Sequence, residues 1–363
     1  MKKKILFTIS NIEARGGTER TTYIVASGLA ENGFDVTLFS TKGEVKNITY
    51  DYSKKLKFSI KETSTVKIVA LFEYIFFLRK TLINENIKTL VSVEAMSLLF
   101  TFPALLLTLR RKRIQYIIWE HFNATVSLGK KLRTLCRKLA SKYADHIVTL
   151  TQKDIILWRR KFSDKANYIS IPNASPFEIT KKQYDINNKT IIAVGRLTYQ
   201  KGFDRFISIV AKLRKQLEIN EWEFLILGSG EDDEKLKKQI VENGLSDIMR
   251  IIGNTPYIKD YYEKAAFMCM TSRFEGLPMT LIEAQSFGLP IIAYDCLTGP
   301  SEVISKESGF SIENNNEKEF IKKIKELIQN NELRSVMSTK AKKETEKYAI
   351  DLIIKRWETL IYE

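Results

Sequence analysis

The chain has 363 residues, of which 44% are hydrophobic and 28% charged, and these values predict a globular protein of two domains. Two histidines and three widely spaced cysteines, without metal-ligand spacing, argue against a zinc site. The longest apolar run, about 12 residues at Leu98–Leu109, contains a proline and is too short to span a bilayer.

The positive charge is confined to the first half of the chain. Residues 1–172 carry 30 lysines and arginines against 14 aspartates and glutamates, a net charge of +16, whereas residues 173–363 carry 28 against 29. A nucleic-acid surface is one explanation of such a basic half. An anionic membrane surface or a phosphate-bearing substrate is the other.

Short apolar runs alternate with amphipathic stretches along the first half, a pattern typical of βαβ units in a parallel sheet. The predicted strands are Ile5–Ser10, Val36–Ser40, Lys88–Val93, Ile114–Trp119, His146–Leu150 and Tyr168–Ile171. The predicted helices are Thr18–Asn32, Val66–Ile83, a buried one at Glu94–Leu109 and a basic one at Leu128–Tyr143. We expect a first domain over residues 1–172 and a linker over 173–189, which is rich in Asn, Ser, Pro and Lys.

The same alternation restarts at residue 190 and predicts a second domain over 190–350. Its predicted strands are Thr190–Val194, Phe224–Leu227, Met249–Ile252, Phe267–Met270 and Ile291–Tyr294. Its predicted helices are Asp204–Leu217, Glu231–Asn243 and Met279–Phe287, followed by two or three helical pieces from Glu317 onward. We therefore predict an α/β protein with two Rossmann-like, doubly wound domains facing a central cleft.

Two motifs of the first half follow predicted strands. Gly16 and Gly17 precede the first helix, where adjacent glycines allow a phosphate or sugar to approach the backbone and the helix N-terminus. The G-x-G-x-x-G spacing of a dinucleotide site is absent. His121 follows another strand, where an imidazole can bind substrate hydroxyls or position a leaving group, although a lone histidine is more often structural.

A glycine turn with two cations opens the second domain. Gly195 follows a strand, and Arg196 and Lys201 lie five positions apart on the loop behind it. Arginine can grip two oxygens while lysine supplies a point charge, so this loop suits a diphosphate, with a solvated surface turn as the alternative. A second glycine turn, Gly228 to Gly230, follows the next strand.

The stretch Thr271–Gln285, T-S-R-F-E-G-L-P-M-T-L-I-E-A-Q, leads from a strand into a helix. Glu275 precedes the helix and Glu283 lies within it. Two carboxylates beside an anion-binding helix end favour a sugar nucleotide as the ligand. Its hydroxyls can donate to the carboxylates, and its phosphates can bind at the helix N-terminus. The alternative is that both acids only favour the helix dipole.

The motifs of this chain, taken in order, resemble those of the retaining glycosyltransferases of family 4, which have the GT-B fold. They are G-G-T-E, E-H, G-R-L…Q-K-G, G-S-G and E-G-L-P-M-T-L-I-E-A. The resemblance covers nearly the whole chain, and it implies that the first domain, 1–172, binds the acceptor and the second domain, 190–350, binds the nucleotide-sugar donor. Its most specific part is the pair of glutamates separated by seven residues, together with G-R…K-G.

The resemblance implies a role for each matching residue. Arg196 and Lys201 match the pair that grips the donor diphosphate, Glu275 the acid beside the donor sugar, and Glu283 the acid that binds the ribose. His121 matches a residue near the reacting centre and completes the implied catalytic set with Arg196, Lys201 and Glu275. The other donor-binding positions are Gly16, Gly17, Gly195, Gly230, Gly276, Leu277, Met279 and Thr280, with the nucleobase against Tyr257 and Ile258.

The resemblance also implies the reaction and its partners. The implied donor is a nucleoside diphosphate sugar, with UDP as the nucleotide, and the implied acceptor is a lipid-linked saccharide of bacterial capsule, O-antigen or exopolysaccharide synthesis. No cofactor, metal or nucleic acid is implied. The leaving phosphate takes the acceptor proton on the same face, with Glu275 as nucleophile a lesser hypothesis. The final helix, 351–363, is expected to cross back to the first domain.

A membrane contact is predicted from the basic half. Arg110–Arg113 follows the apolar run, and cations alternate with leucines at helical spacing in the basic helix. Those cations are Lys130, Lys131, Arg133, Arg137 and Lys138, and the leucines are Leu128, Leu132, Leu135 and Leu139. This pattern suits an anionic interface, although the leucines could all face the core. We expect a cytoplasmic protein, bound peripherally to the inner face of the cell membrane.

Three rival functions can be compared with these motifs. A sugar-nucleotide epimerase of the same fold needs acid/base carboxylates in the first domain, for which Glu94 and Glu120 are candidates. A nucleic-acid-binding protein leaves the motifs of the second half without a role. A nicotinamide dehydrogenase lacks its fingerprint in both domains.

Overall fold

The computed structural model describes residues 3–14, 16–127, 129, 131–162 and 165–363. The chain forms two compact units, of which the second is Ser175–Ala349. The first contains the residues up to Ala174 together with Ile350–Glu363. Each unit is built on its own parallel sheet.

The first unit contains a seven-stranded sheet in which all paired strands are parallel. Its strands are β1 (Lys4–Thr8), β2 (Asp35–Ser40), β3 (Lys57–Ile60), β4 (Thr89–Val93), β5 (Gln115–Trp119), β6 (His146–Thr149) and β7 (Asn167–Ser170). Its first five helices are α1 (Gly17–Glu31), α2 (Lys67–Asn84), α3 (Leu98–Leu107), α4 (Lys131–Tyr143) and α5 (Gln152–Lys161). The strand order β3-β2-β1-β4-β5-β6-β7 reverses the direction of winding between β1 and β4.

The second unit repeats this plan with six parallel strands. Its strands are β8 (Thr190–Val194), β9 (Glu223–Leu227), β10 (Met249–Gly253), β11 (Ala265–Met270), β12 (Ile291–Asp295) and β13 (Gly309–Glu313). Its helices are α6 (Phe203–Arg214), α7 (Asp233–Glu242), α8 (Ile258–Lys264), α9 (Met279–Ser286), α10 (Pro300–Val303), α11 (Glu317–Gln329) and α12 (Asn331–Thr345). The order β10-β9-β8-β11-β12-β13 reverses between β8 and β11. Both sheets confirm the predicted doubly wound α/β architecture.

The last helix, α13 (Ile350–Tyr362), follows the second unit in sequence but packs on the first. It lies against α1 and buries the apolar face that contains Trp357. The Trp357 ring centroid lies 4.8 Å from that of Trp119 and 6.1 Å from that of Phe7, so α13 completes an aromatic cluster of the first core.

The helix predicted from Glu94 to Leu109 is wrong at both ends. Glu94 has φ +65, which no right-handed helix can continue through, so α3 begins at Leu98 after a short 3-10 turn. Only one side of α3 is buried: Leu106 and Leu107 are about half exposed, at 47% and 53%.

The basic helix α4 buries two of its cations and exposes two of its leucines. Arg133 and Arg137 are buried, whereas Leu132 and Leu135 are exposed. Leu132 and Leu135 therefore do not face the core, whereas Leu139 packs against it, and two of the predicted surface cations are internal. Leu128 and Lys130 of the prediction lie outside the described residues.

Most of the stretch predicted as a linker belongs to the second unit, which begins at Ser175. The Ser175 hydroxyl lies 2.9 Å from that of Ser286, and the Tyr184 hydroxyl donates to the Ala266 carbonyl. The stretch is therefore ordered against α9 and β11 rather than running between two cores.

Candidate functional site

The loops that follow β8 and β11 meet at the carboxyl edge of the second sheet. These strands are neighbours at the point where the winding reverses, and open α/β sheets bind ligands outside the strand ends at such a point. The Thr271 hydroxyl donates to the Gly202 carbonyl at 2.8 Å, and the Arg273 amide donates to the Gln200 carbonyl at 2.8 Å. The two loops are therefore joined directly.

Glycines allow these turns to touch backbone to backbone. Gly202 has φ +66, and a Cβ there would lie 2.3 Å from the Thr271 carbonyl oxygen. Gly228 has φ +143, and a Cβ there would lie 1.9 Å from the Gly195 carbonyl oxygen. Any side chain at either position would force the loops apart.

Lys201 and Glu275 form an ion pair at this junction, with Nζ 2.7 Å from Oε1. Their side chains are only 16% and 6% exposed. The Gln200 amide donates to the Phe274 carbonyl at 3.1 Å, and the Thr298 hydroxyl donates to the Glu275 carbonyl at 2.8 Å. Glu275 is thus fixed by its side chain and its backbone.

A second ion pair fixes the same two loops from the outside. Arg273 binds Asp204 with two hydrogen bonds of 2.8 and 2.6 Å, and its guanidinium lies 4.0 Å from the centre of the Tyr199 ring. Burial acts to raise the pKa of Asp204, but the hydrogen bonds from Arg273 outweigh it and hold that pKa below its usual value. The bidentate geometry restrains both loops.

Glu283 lies on the buried side of α9 and is held by residues other than those of the Lys201–Glu275 pair. The Tyr262 hydroxyl donates to Glu283 Oε2 at 2.8 Å, and the Tyr262 ring stacks on Phe287 at 5.3 Å between centroids. The two glutamates of the motif are therefore held by different elements, Glu275 by the β8 loop and Glu283 by α8.

Arg196 is exposed, and within the described residues its guanidinium makes no hydrogen bond or ion pair. In the part of the chain that the structure describes, no side chain caps the N-terminus of α9, which follows Gly276 and Leu277 and begins at Met279. The hydroxyl of Thr280 in its first turn is buried and has no hydrogen-bond partner among the described residues. A cation and a helix N-terminus thus remain available to an anion on this unit.

The other predicted donor-binding positions of this unit lie on its turns. Gly230 packs against the Leu197 carbonyl, where a Cβ would lie 2.4 Å from the oxygen. Tyr257 is 68% exposed and directly precedes α8, and Ile258 is half-buried.

In the first unit, Gly16 and Gly17 lie at the start of α1, behind β1. Gly16 occupies the N-cap position without a side-chain cap, and its carbonyl accepts a hydrogen bond of 3.0 Å from Tyr50. The helix N-terminus therefore lies at the carboxyl edge of the sheet, where β1 meets β4.

His121 follows β5 and is buried, with its ring centroid 4.6 Å from that of Trp119. Burial lowers the pKa of His121 to about 3, so the imidazole is neutral at physiological pH. Its Nε2 has no hydrogen-bond partner among the described residues. A neutral ring can exchange hydrogen bonds with a substrate but supplies no positive charge.

Glu120 is fully buried beside Arg137, whose Nε donates to Oε2 at 3.0 Å. The Arg137 Nη1 also donates to the carbonyls of Ala124 and Val126 at 3.1 and 2.9 Å. Arg133 contributes a longer ion pair to the same carboxylate, at 3.8 Å. Because Glu120 is enclosed in this way, it is a poor candidate for the acid or base of an epimerase.

Comparisons with known proteins agree with this geometry. The family model described as Glycosyl transferases group 1 matches residues 176–344, and that of Glycosyltransferase Family 4 matches residues 15–174. An uncharacterized glycosyltransferase of Haemophilus influenzae is 36% identical over 99% of this chain and 100% of its own length. The chain belongs to glycosyltransferase family 4.

Other relatives of this glycosyltransferase have more specific names. The amylovoran biosynthesis glycosyltransferase AmsD of Erwinia amylovora is 33% identical over 99% of both chains. A Campylobacter jejuni α-1,4-N-acetylgalactosaminyltransferase, named for a glycan on PP-undecaprenol, is 25% identical over 99% of this chain and 98% of its own. The crystal structure of Staphylococcus aureus TarM with UDP superimposes with a TM-score of 0.81 at 17% identity, covering 99% of this chain and 100% of TarM, and confirms the GT-B fold.

The structure of the glycosyltransferase joins some of the predicted site residues and separates others. Lys201 is paired with Glu275, and Gly195 contacts the turn that leads to Gly230. Gly16, Gly17 and His121 belong to the first unit, and the remaining predicted residues belong to the second.

Sequence reasoning missed the residues that hold the predicted ones in place. They are Asp204, Gln200, Tyr262, Arg273 and Thr298. Arg273 lies inside the stretch T-S-R-F-E, where its charge two positions before Glu275 is visible in the sequence. Gln200 directly precedes Lys201 in the Q-K-G motif, so its position was also visible in the sequence. Asp204, Tyr262 and Thr298 lie outside the motifs, and no local pattern connects them with the site.

The neutral state of His121 has a consequence for stability. The unfolded chain takes up a proton at this residue near pH 6.5, whereas the folded chain does so only near pH 3. Stability is therefore lost as the pH falls below 6.5, by up to about 1.4 kcal/mol per pH unit. We expect His121→Gln to lose less stability than the parent protein between pH 6.5 and 4.5.

Urea unfolding at both pH values measures this difference. In a Trp222→Phe background, tryptophan fluorescence reports the first unit alone, because the other three tryptophans lie there. Equal losses of stability in parent and variant would show that His121 is protonated in the folded protein.

Proposed function

We propose that this glycosyltransferase transfers a sugar from a nucleoside diphosphate sugar, with UDP as the nucleotide, to a saccharide acceptor with retention of anomeric configuration. The process it serves is the synthesis of a bacterial capsule, O-antigen or exopolysaccharide. The observation that carries the proposal is the buried Lys201–Glu275 pair at the switch point of the second sheet, on a loop that also presents the exposed Arg196.

The donor diphosphate is bound by cations and a helix end. Cleavage of the bond between the anomeric carbon and the diphosphate develops negative charge on the leaving oxygens. Arg196, Lys201 and the uncapped N-terminus of α9 are fixed groups that stabilise this charge. Because Lys201 is already oriented by Glu275, it needs little rearrangement when the diphosphate binds.

The two glutamates bind different parts of the rest of the donor. Glu275 accepts hydrogen bonds from the donor sugar, and the backbone N–H groups after it contact sugar and phosphate. Glu283 accepts hydrogen bonds from the ribose, with Tyr262 orienting the carboxylate. The nucleobase lies against Tyr257 and Ile258.

The leaving phosphate accepts the acceptor proton, and attack occurs on the face it leaves. Gly16 and Gly17 contribute the N-terminus of α1 to the phosphates and the acceptor, and the neutral His121 contributes hydrogen bonds near the reacting centre. Support for the UDP donor comes from TarM, which binds UDP in the same fold.

The acceptor is a lipid-linked saccharide, reached from the inner face of the cell membrane. The relative named for a PP-undecaprenol glycan supports this acceptor. Among the described residues no helix is both long and apolar enough to cross a bilayer. The proposed contact is peripheral, through helices that pack side by side on one face of the first sheet, α2 with α3 and α3 with α4.

The outer side of these helices carries the chemistry that a bilayer interface requires. Its exposed apolar side chains are Ile68, Val69, Phe72, Phe76, Leu106, Leu107, Leu132 and Leu135. Exposed cations, Lys112 and Arg113, follow the end of α3, while Arg111 is held by Asp145 at 3.0 Å. Apolar groups next to cations suit an anionic bilayer.

Arg196→Ala is expected to lower kcat/KM by on the order of 10²-fold or more, because it removes stabilisation of the leaving diphosphate. Its stability should not change, since the guanidinium is exposed. Lys201→Ala is expected to lose activity and also on the order of 3 kcal/mol of stability, because Glu275 is left buried without its cation. Release of UDP from UDP-glucose, UDP-galactose, UDP-N-acetylglucosamine and UDP-N-acetylgalactosamine measures the activity, and urea unfolding measures the stability.

Lys215→Ala, at an exposed lysine of the same unit, is the matched control. The double variant Lys201→Ala with Glu275→Gln should recover stability but not activity. Parental transfer rates in both Arg196→Ala and Lys201→Ala would sink the diphosphate assignment.

Glu283→Gln is expected to weaken binding of UDP itself, since the ribose is common to donor and product. Glu275→Gln should keep the UDP affinity within a few fold, because the glutamine oxygen can still accept a hydrogen bond from Lys201, and it should lose turnover through its contact with the donor sugar, which UDP lacks. Calorimetry with UDP separates the two roles. Tyr262→Phe removes the hydrogen bond to Glu283 but keeps the carboxylate, so it should bind UDP within a few fold of the parent. Equal losses in Glu275→Gln and Glu283→Gln would contradict the division of roles.

Liposome flotation tests the membrane contact. We expect the protein to float with anionic vesicles at low salt and less at high salt, because screening weakens the attraction. The double variant Ile68→Asp with Phe72→Asp should float poorly. Leu352→Asp, at a 48% exposed leucine of α13, is the matched control and should float like the parent. A parent protein that stays with the soluble fraction at low salt would move a soluble acceptor to first place.

A further inference from the structure

A pocket of about 590 Å³ opens at the carboxyl edge of the first sheet. Residues behind three strands line it, among them Ser10 after β1, Lys42 after β2 and Glu94 after β4. Since β1 and β4 are the neighbours between which the winding reverses, the pocket lies where an open α/β sheet binds its ligands.

One wall of the pocket is apolar and the other polar. The apolar wall comes from α2, α3, α4 and the turn before α3, with Leu71, Tyr74, Met96, Leu99, Phe100 and Leu132. The polar wall contains hydroxyls and the carboxylates of Glu19 and Glu94. A ligand that fills such a pocket has a hydroxylated part and an apolar part.

Glu94 has an unusual backbone for a residue that bears a side chain. Its φ of +65 lies in the left-handed region, and its amide donates to the Trp119 carbonyl at 2.8 Å, which holds the conformation in place. This strained conformation sets the direction of the carboxylate, and such strain is concentrated at binding sites.

Arg133 supports this carboxylate from inside the protein. Its Nη2 donates to Glu94 Oε2 at 3.4 Å, and its side chain is only 5% exposed, against 28% for Glu94. The Arg133 Nε and Nη1 have no hydrogen-bond partner among the described residues. Glu94 is therefore the accessible end of a buried charge network that continues through Arg133 to Glu120 and Arg137.

The pocket continues onto the outer surface of α2. Lys67, Ala70, Leu71 and Tyr74 of this helix line the pocket, and Ile68 and Phe72 between them are exposed. Lys42 and Lys67 are exposed and make no ion pair within the described residues. An anionic group joining a glycan to an apolar chain would meet these two cations.

We propose that this pocket binds the lipid-linked acceptor, and that Glu94 accepts a hydrogen bond from the acceptor glycan. The apolar wall receives the first part of the lipid chain, Lys42 and Lys67 face the linking phosphates, and α2 leads the rest of the chain to the bilayer. This inference rests on the proposed glycosyltransfer. The first domain is the one that the resemblance implies binds the acceptor, and the inference adds the roles of Glu94, the two lysines and the apolar wall.

The charges around Glu94 add a pH dependence to this role. Burial, and then repulsion from Glu120, raise the pKa of Glu94 to about 7, against the attraction of Arg133 and Arg137. Glu19 of α1 faces it as a further negative charge. The accepting, ionised form of Glu94 therefore grows as the pH rises from 6 to 8. Acceptor affinity should rise over the same range.

Calorimetry with three defined compounds tests the site. The first is N-acetylglucosaminyl diphosphate esterified to a dodecyl chain. The second, N-acetylglucosamine 1-phosphate, lacks the chain, and the third, dodecyl phosphate, lacks the glycan. We expect the parent to bind the first compound at least tenfold tighter than either fragment, and tighter at pH 8 than at pH 6.

Glu94→Gln should lower the affinity for the first compound at least fivefold and abolish the pH dependence of that affinity. The affinity for dodecyl phosphate should not change. Glu94→Gly, which adopts this positive-φ, extended backbone without strain, should do the same and excludes misfolding as the cause. Asp51→Asn, at an exposed carboxylate of the same unit, is the matched control.

UDP binding separates this inference from the donor assignment, because neither Glu94 variant should change it. Parental affinity and pH dependence in both Glu94 variants would overturn the assignment of Glu94. A parent protein that binds UDP but prefers N-acetylglucosamine 1-phosphate to the chain-bearing compound would overturn the pocket itself.

Discussion

The ion pair between Lys201 and Glu275 is the interaction on which the site of the second unit depends. Each charge is enclosed by protein, so removal of either partner leaves the other buried without its ion pair. The pair forms only because Gly202 and Gly228 let three loops pack backbone to backbone. Arg273 and Asp204 then restrain the same loops from the outside. The second sheet thus presents a site whose cation and acid are oriented before any ligand arrives, and this is the condition for electrostatic catalysis.

In the first unit, buried ion pairs use up charge that the sequence suggested was at the surface. Arg137 and Arg133 neutralise Glu120 and Glu94, and Arg111 neutralises Asp145. The net charge of the first half is unchanged by this pairing, but its distribution is not. The outer side of α2, α3 and α4 is more apolar than the lysine and arginine content indicates. This distribution supports the proposed contact with a lipid surface more than a contact with nucleic acid, which requires exposed cations along its path.

The fold could be predicted from the sequence wherever strands are continuous apolar runs, as in β8 and β11, because such runs require burial on both faces. The elements β3, β13, α5, α8 and α10 were not predicted. β3 and β13 are short edge strands, and α8 and α10 are short helices, of which α8 buries only Tyr262. The motif predicted that Lys201 and Glu275 serve one site, but not that they touch, because 74 positions separate them. The prediction that Arg133 and Arg137 lie on the surface of α4 was wrong for a related reason: the buried Glu120, supplied by another element, requires Arg137 beside it.

The packing of α13 on the first unit has a consequence for biosynthesis. Trp357 contributes to the aromatic cluster with Phe7 and Trp119, yet the ribosome makes α13 only after the whole second unit. The second unit can fold as soon as it emerges, while the first must wait with part of its apolar surface uncovered. The usual order of cotranslational folding, in which the N-terminal domain is completed first, is therefore reversed in this chain. Chaperones that bind exposed apolar surface would therefore bind the N-terminal half of the nascent chain, which is synthesised first.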